Sequence, residues 1–204
     1  MIAIIDYGVG NIKAFANIYK KIGVDVVVAK RSQDLIGATK LILPGVGHFD
    51  YAMKRFADSG MMETANDIVL NKKIPVLGIC VGMQMLANYS EEGILPGLSW
   101  IDAKVRKFDA SKLQHATRLP HMGWNNVNSI NGNTLFKNMG CDARFYFLHS
   151  YYFECNNDAD IAAVSQYGIE FTCTVNSENI FGVQFHPEKS HHFGIQLLMN
   201  FANI

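Results

Sequence analysis

Cys80 sits in the run Pro75-Val-Leu-Gly-Ile-Cys-Val-Gly-Met-Gln84, with Gly78 and Gly82 two positions to either side. The apolar residues over 75–79 predict a buried strand, and the residues over 83–89 predict a helix. A cysteine between them lies at a strand-to-helix turn. Flanking glycines permit that turn to be tight, in the manner of a nucleophile elbow with sulfur in place of the hydroxyl. The first turn of the helix offers free N–H groups that favour a thiolate and can hold an oxyanion. An isolated cysteine is more often a packing residue; the glycines at the mouth of a strand favour the reactive reading. Cys141, Cys155 and Cys173 have no such setting and are read as packing or surface residues.

A thiolate needs a base. In Gly182-Val-Gln-Phe-His186-Pro-Glu188 the apolar run ends just before His186. Pro187 fixes the following turn, and Glu188 is placed to bond the far nitrogen of the imidazole. Cys80, His186 and Glu188 thus supply nucleophile, base and orienter. Taken alone, His186 is an ordinary turn histidine. A third run, Pro44-Gly-Val-Gly-His48, also follows a short apolar strand over 41–43. Its small residues leave backbone N–H groups free to face an oxyanion; taken alone, it is a plain strand-to-helix loop.

The elements that must position these groups alternate in the first half of the chain. Strands are predicted over 2–6, 25–29, 41–43 and 75–79, and helices over 11–22, 51–57, 61–71 and 83–89. Apolar strands alternating with helices imply an α/β fold with parallel strands covered on both faces. In the second half, short strands over 100–108, 123–128, 144–149, 161–166, 170–176 and 180–185 imply an antiparallel or mixed extension of the sheet. A last helix is expected over 190–202, and 109–118 reads as a surface loop.

The chain has 204 residues, which fits one domain over 1–204. Its 49% hydrophobic and 18% charged residues fill a core and exclude a disordered chain. Eighteen basic residues balance eighteen acidic ones, which excludes a strongly basic nucleic-acid binder. The opening apolar run stops at Asp6, too short for a signal peptide or a membrane span. The four cysteines have no C-x-x-C spacing, so neither a disulfide framework nor a zinc site is expected. A reduced, cytoplasmic protein is the simplest reading.

Other features carry weaker signals. Gly8-Val-Gly-Asn-Ile-Lys13 lacks the third glycine of a dinucleotide fingerprint. His191 and His192 are adjacent on a helix, point different ways, and read as a solvated face and not as metal ligands. His121 and His149 are open between structural and site roles, His149 because it precedes Ser150. The methionines, Met83 and Met85 among them, read as core fillers, and Glu91-Glu92 reads as a surface pair at a helix end.

The motifs G-I-C-V-G-M-Q, P-G-V-G-H-F and F-H-P-E-K-S, in this order, resemble the class I (triad) glutamine amidotransferases. I-D-Y-G-V-G-N-I at 5–12, S-E-E-G at 90–93, L-P-H-M-G-W-N at 119–125 and Y-F-L-H-S-Y-Y at 146–152 resemble one branch, the glutaminase subunits of imidazole glycerol phosphate synthases. Val81, where leucine is common, is a conservative departure. The resemblance implies a three-layer fold: a central mixed, mostly parallel sheet with helices on both faces. It implies that Cys80 attacks the side-chain amide of L-glutamine, His186 shuttles protons and Glu188 orients it, through a γ-glutamyl thioester. It places Gly45, Val46, Gly47 and Val81 at the oxyanion hole, in part after a peptide flip. Gly45, Gly47, Gln84, Ser150 and Tyr151 would hold the glutamine, and Asn11, Trp124 and Lys189 would face a partner.

The implied partner is a (β/α)₈-barrel cyclase subunit in a heterodimer, which receives the ammonia for histidine biosynthesis. No cofactor, metal, nucleic acid or membrane is called for. An oxyanion hole left incomplete around Gly45–Gly47 until the partner binds would keep the chain idle alone. The nearest rival is the same chemistry serving an amidino sugar of surface glycans. Two others are a hydrolase that releases ammonia to water or cleaves γ-glutamyl peptides and a non-catalytic binding subunit, the last disfavoured by the intact Cys80, His186 and Glu188.

Overall fold

The computed structural model describes residues 1–112, 118–130, 132–140 and 142–204. Cys141 and residues 113–117 of the expected 109–118 loop therefore lie outside the described residues, and the loop opens with a short helical turn at Ala110–Lys112.

The first half alternates as the apolar pattern requires. β1 (Ile2–Ile5) leads to α1 (Ile12–Lys21), β2 (Val26–Ala29), β3 (Lys40–Gly45), α2 (Phe49–Asp58), α3 (Met62–Asn66), β4 (Val76–Cys80) and α4 (Val81–Gln84). Every residue of β1 and β4 is buried, so both faces of these strands are covered. α1 buries Phe15 and Tyr19, one helical turn apart. The helix stops where Gly23 takes a φ of 74°, and Val24 N–H closes on the Tyr19 carbonyl at 2.9 Å.

The helix expected over 83–89 is corrected. It starts earlier, at Val81, and its regular part ends at Gln84. Met83, Met85, Leu86 and Ala87 are all fully buried, so the run is apolar because it is enclosed and not because a long helix continues. Tyr89 already belongs to a strand. The helix expected over 61–71 is present as α3 followed by a π-helical turn at Asp67–Asn71.

The second half holds β5 (Tyr89–Ser90), β6 (Ala103–Lys107), β7 (His121–Asn126), β8 (Asn128–Ser129), β9 (Arg144–His149), β10 (Tyr151–Cys155), β11 (Ile161–Tyr167), β12 (Ile169–Ser177) and β13 (Ile180–Val183). It ends on α5 (His191–Ala202), which buries Leu197, Leu198 and Phe201. The main sheet runs β2-β1-β3-β4-β13-β12-β10-β6-β5, with β11 and β8 added beside β12. From β2 to β13 all pairs are parallel; β13–β12, β12–β10 and β10–β6 are antiparallel. β7 and β9 form a separate antiparallel pair. Among the described residues no helix is long and apolar enough to cross a membrane.

Candidate active site

The site is built by register. β3, β4 and β13 lie side by side and parallel, so their C-terminal ends reach one edge. Gly45 pairs with Cys80 across β3 and β4, and Val183 pairs with Ile79 across β13 and β4. Gln184 and His186, the residues following β13, therefore arrive beside the thiol.

Cys80 has φ 55° and ψ −115°, a left-handed conformation for a residue with a side chain. Such strain costs about 1–3 kcal/mol and persists where the surroundings impose it. Here the glycines impose it. A Cβ on Gly82 would run into the Leu43 carbonyl, and one on Gly45 into the Gly82 backbone nitrogen. A Cβ on Gly78 would lie 2.7 Å from the Gly82 carbonyl oxygen. β3 and the β4–α4 turn can approach this closely because all three positions lack side chains. The first-turn N–H groups of Val81 and Gly82 have no acceptor within the helix, although α4 is too short to add much dipole.

His186 is buried, and its Nδ1 lies 3.0 Å from Glu188 Oε1. Burial alone would disfavour an imidazolium. Hydrogen bonds to Cys80 and Glu188, together with their negative charge, outweigh it and raise the His186 pKa to about 10. Gln184, fully buried, has its amide nitrogen 3.9 Å from Cys80 Sγ, while its Oε1 accepts from Gln84 Nε2 at 3.0 Å.

These groups open onto a cavity of about 420 Å³. Of the residues singled out from the sequence, Cys80, His186, Val46, Gly47, Val81, Gln84, Ser150, Tyr151 and Lys189 line it. Glu188 stands behind His186 with its side chain 2% exposed. Gly45 is buried beneath the elbow and is not on the cavity wall. Asn11 and Trp124 lie elsewhere: Asn11 immediately precedes α1, which touches the Pro187–Lys189 turn, and Trp124 is half-exposed on β7. Trp124 and Lys189 meet the same ring. Trp124 packs edge-on against Tyr146 at 6.4 Å, and Lys189 Nζ sits 5.7 Å above it.

Sequence reasoning missed Gln184, two positions before His186 and so on the same side of an extended run; that spacing was the available signal. It also misjudged Glu92. The pair Glu91-Glu92 is not at a helix end. Glu91 pairs with Arg106 at 3.0 Å, and Glu92 lines the cavity and accepts from Phe49 N–H at 2.8 Å, at the start of α2. His48 also caps that helix, its Nδ1 accepting from Asp50 N–H at 3.2 Å. His191 is exposed, as its helix position implied, and stacks on Trp124 at 5.2 Å. Cys173 is buried within β12, and Cys155 is half-buried.

A thiol beside a buried, carboxylate-backed imidazole, under backbone N–H groups, suits attack on an amide or ester carbonyl. Comparison with known proteins agrees. The glutamine amidotransferase class-I family model matches residues 3–203. The imidazole glycerol phosphate synthase subunit HisH of Bdellovibrio bacteriovorus is 56% identical over 204 residues, covering 100% of both chains. The HisH protein of Leptospira interrogans is 53% identical with the same full coverage. Among solved structures, a glutamine amidotransferase superposes with a TM-score of 0.75 at 17% identity, over 100% of this chain and 99% of that one. PurLQS from Thermotoga maritima gives a TM-score of 0.74 at 17% identity, over 99% of this chain and 97% of that one. At such identities these two show the shared fold. The chain therefore belongs to the glutamine amidotransferase class-I family of enzymes, in its HisH branch.

Proposed function

We propose that residues 1–204 act as one glutaminase domain, the ammonia-producing subunit of imidazole glycerol phosphate synthase, with Cys80, His186 and Glu188 as its catalytic residues. The observation that carries this reading is that Cys80 and His186 line one cavity at the ends of β4 and β13, with Glu188 bonded to the far side of the imidazole. Full-length similarity to HisH proteins favours the histidine pathway over an amidino-sugar acceptor.

Cys80 Sγ attacks the side-chain carbonyl carbon of glutamine, and the C=O pair moves onto oxygen. Backbone N–H groups at Val81 and in the Val46–Gly47 loop stabilise that oxyanion; losing one such donor costs about 3–4 kcal/mol. His186 delivers its proton to the departing nitrogen, the C–N bond breaks, and ammonia and a γ-glutamyl thioester remain. Water, deprotonated by His186, then attacks the thioester and releases glutamate and Cys80. Glu188 holds the imidazole in place and stabilises its charged form. Gln84, Ser150 and Tyr151 hold the amino-acid end of the substrate, with Gly47 at the cavity mouth and Gly45 packing the elbow.

Ammonia in neutral water is mostly ammonium, which has no lone pair. A sealed passage into a (β/α)₈-barrel cyclase bound over Asn11, Trp124 and Lys189 keeps the nucleophile neutral. An oxyanion hole completed when that partner docks keeps the chain idle alone. The test is glutamine hydrolysis with and without the cyclase and its ligand. Strong stimulation is expected, and equal rates would overturn the control by the partner. Production of imidazole glycerol phosphate by the mixture separates this acceptor from an amidino sugar.

A further inference from the structure

His149, on the cavity wall, and His121, bonded to it, are two buried histidines that the proposed chemistry does not use. His149, the last residue of β9, directs Nδ1 to the Tyr151 carbonyl at 2.7 Å. This bond spans Ser150, the single residue between β9 and β10. His149 Nε2 lies 2.9 Å from His121 Nδ1, and His121 Nε2 lies 3.2 Å from the amide nitrogen of Asn125. That amide nitrogen also donates to the Gln166 carbonyl at 2.8 Å. His121 is held flat between the rings of Phe147, at 4.7 Å, and Tyr167, at 4.0 Å.

The partners at the two ends fix every proton in between. A carbonyl only accepts, so His149 Nδ1 carries hydrogen and, in the neutral ring, its Nε2 accepts. His121 Nδ1 must then donate, and its Nε2 accepts from the amide of Asn125. Donation runs one way along the whole chain, from Asn125 through His121 and His149 to the Tyr151 carbonyl. Both rings are Nδ1–H tautomers, opposite to the form that histidine favours in water. Burial keeps them uncharged: it brings His121 down to about 4, and burial with repulsion from His121 brings His149 to about 3. A proton added to either ring would set two donors face to face.

We propose that His149, its tautomer fixed by His121, is a positioning residue for the substrate seat: its bond to the Tyr151 carbonyl sets the Ser150–Tyr151 backbone that lines the cavity beside Cys80. The proposal rests on the reading that Ser150 and Tyr151 hold glutamine. The same carbonyl lies 3.5 Å from the amide nitrogen of Gln84, so the two proposed sides of the seat meet at one oxygen. His149 touches neither sulfur nor the imidazole proton in this scheme. Its loss therefore acts on substrate binding more than on turnover.

The experiment uses the chain in complex with its cyclase. Nitrogen-15 spectra at pH 7 read the tautomers directly, with no substrate, and both histidines are expected as Nδ1–H; an Nε2–H form of His149 overturns the proposal. Glutamine kinetics then compare His149→Phe, which removes the donor, with His149→Asn, whose side-chain amide nitrogen falls near the place of Nδ1. The phenylalanine variant is expected to raise KM at least about tenfold, with kcat held within about threefold. The asparagine variant should keep KM within about threefold of wild type, and Cys80 should alkylate at the wild-type rate in both. An unchanged KM, an equal loss in kcat, or asparagine no better than phenylalanine overturns the proposal. Should His149→Phe not fold, His149→Asn against His121→Phe reads the same bond, with the smaller rise in KM expected for asparagine. A wild-type complex that leaves glutamine intact fails the reading of the site itself, whatever the tautomers prove to be.

Discussion

The ends of the parallel strands and β9 of the β7–β9 pair border one cavity, yet the strand ends and the pair hold their histidines in opposite states. At the strand ends, His186 is buried beside Cys80 and the carboxylate of Glu188, and their charge favours the imidazolium. On the β7–β9 pair, His121 and His149 are buried among aromatic rings and each other, and burial favours the neutral rings. Burial is common to both places. What differs is whether a negative group is buried with the ring. One region thus favours a charged ring, the other neutral rings.

The largest effect expected from this contrast is at Cys80. Cys80→Ala should lower glutamine-dependent synthesis by at least about 10⁴-fold in the complex, while synthesis driven by added ammonia continues. Loss of both activities would contradict the division of labour. Glu188→Ala should be about a hundredfold milder than Cys80→Ala in kcat, because an orienter does not itself take the proton. Gly82→Ala tests the packing that strains Cys80. A methyl group there meets the Leu43 carbonyl. Urea unfolding should show a loss of about 1–3 kcal/mol, with a slower alkylation of Cys80.

The effects of pH on stability should run in opposite directions at the two places. The folded pKa of His186, about 10, lies above its ordinary 6.5. Its contribution is therefore complete below 6.5 and is lost as pH rises towards 10. The difference in unfolding free energy between wild type and His186→Gln should shrink over that interval. His121 and His149 lie below 6.5, near 4 and 3, so the unfolded chain binds their protons first. Stability should fall as pH drops from 6.5 towards 4, and the paired change of His121 and His149 to Phe should flatten that fall. Parallel trends at the two places would erase the contrast drawn between them.

The parallel half was legible because strands buried on both faces must be written as apolar runs, as Ile2–Ile5 and Val76–Cys80 are. Cys80, Gln84, Ser150, Tyr151 and His186 could be brought together from motifs, and all of them line the cavity. The rest failed for identifiable reasons. The apolar stretch after Gln84 imitates a helix, because it is enclosed on every side. β10 went unseen: Tyr151–Cys155 follows β9 after a single residue, so no turn signal separates them. Glu92 could not be placed from sequence, since its partner, the Phe49 N–H, is 43 positions away. The long-range pairing of His121 with His149 likewise depends on the β7–β9 register, where the two residues stand directly opposite.

Ser190 joins the two regions with one oxygen. Its hydroxyl donates to the His186 carbonyl at 2.6 Å and accepts from Tyr146 N–H at 3.0 Å. His186 N–H in turn donates to the Tyr146 carbonyl at 2.9 Å. The peptide unit of His186 is thereby pinned to the middle of β9, at the residue whose ring is shared by Trp124 and Lys189. A partner seated on that ring, as proposed above, would press on the backbone of His186 by a route that does not pass through the substrate cavity.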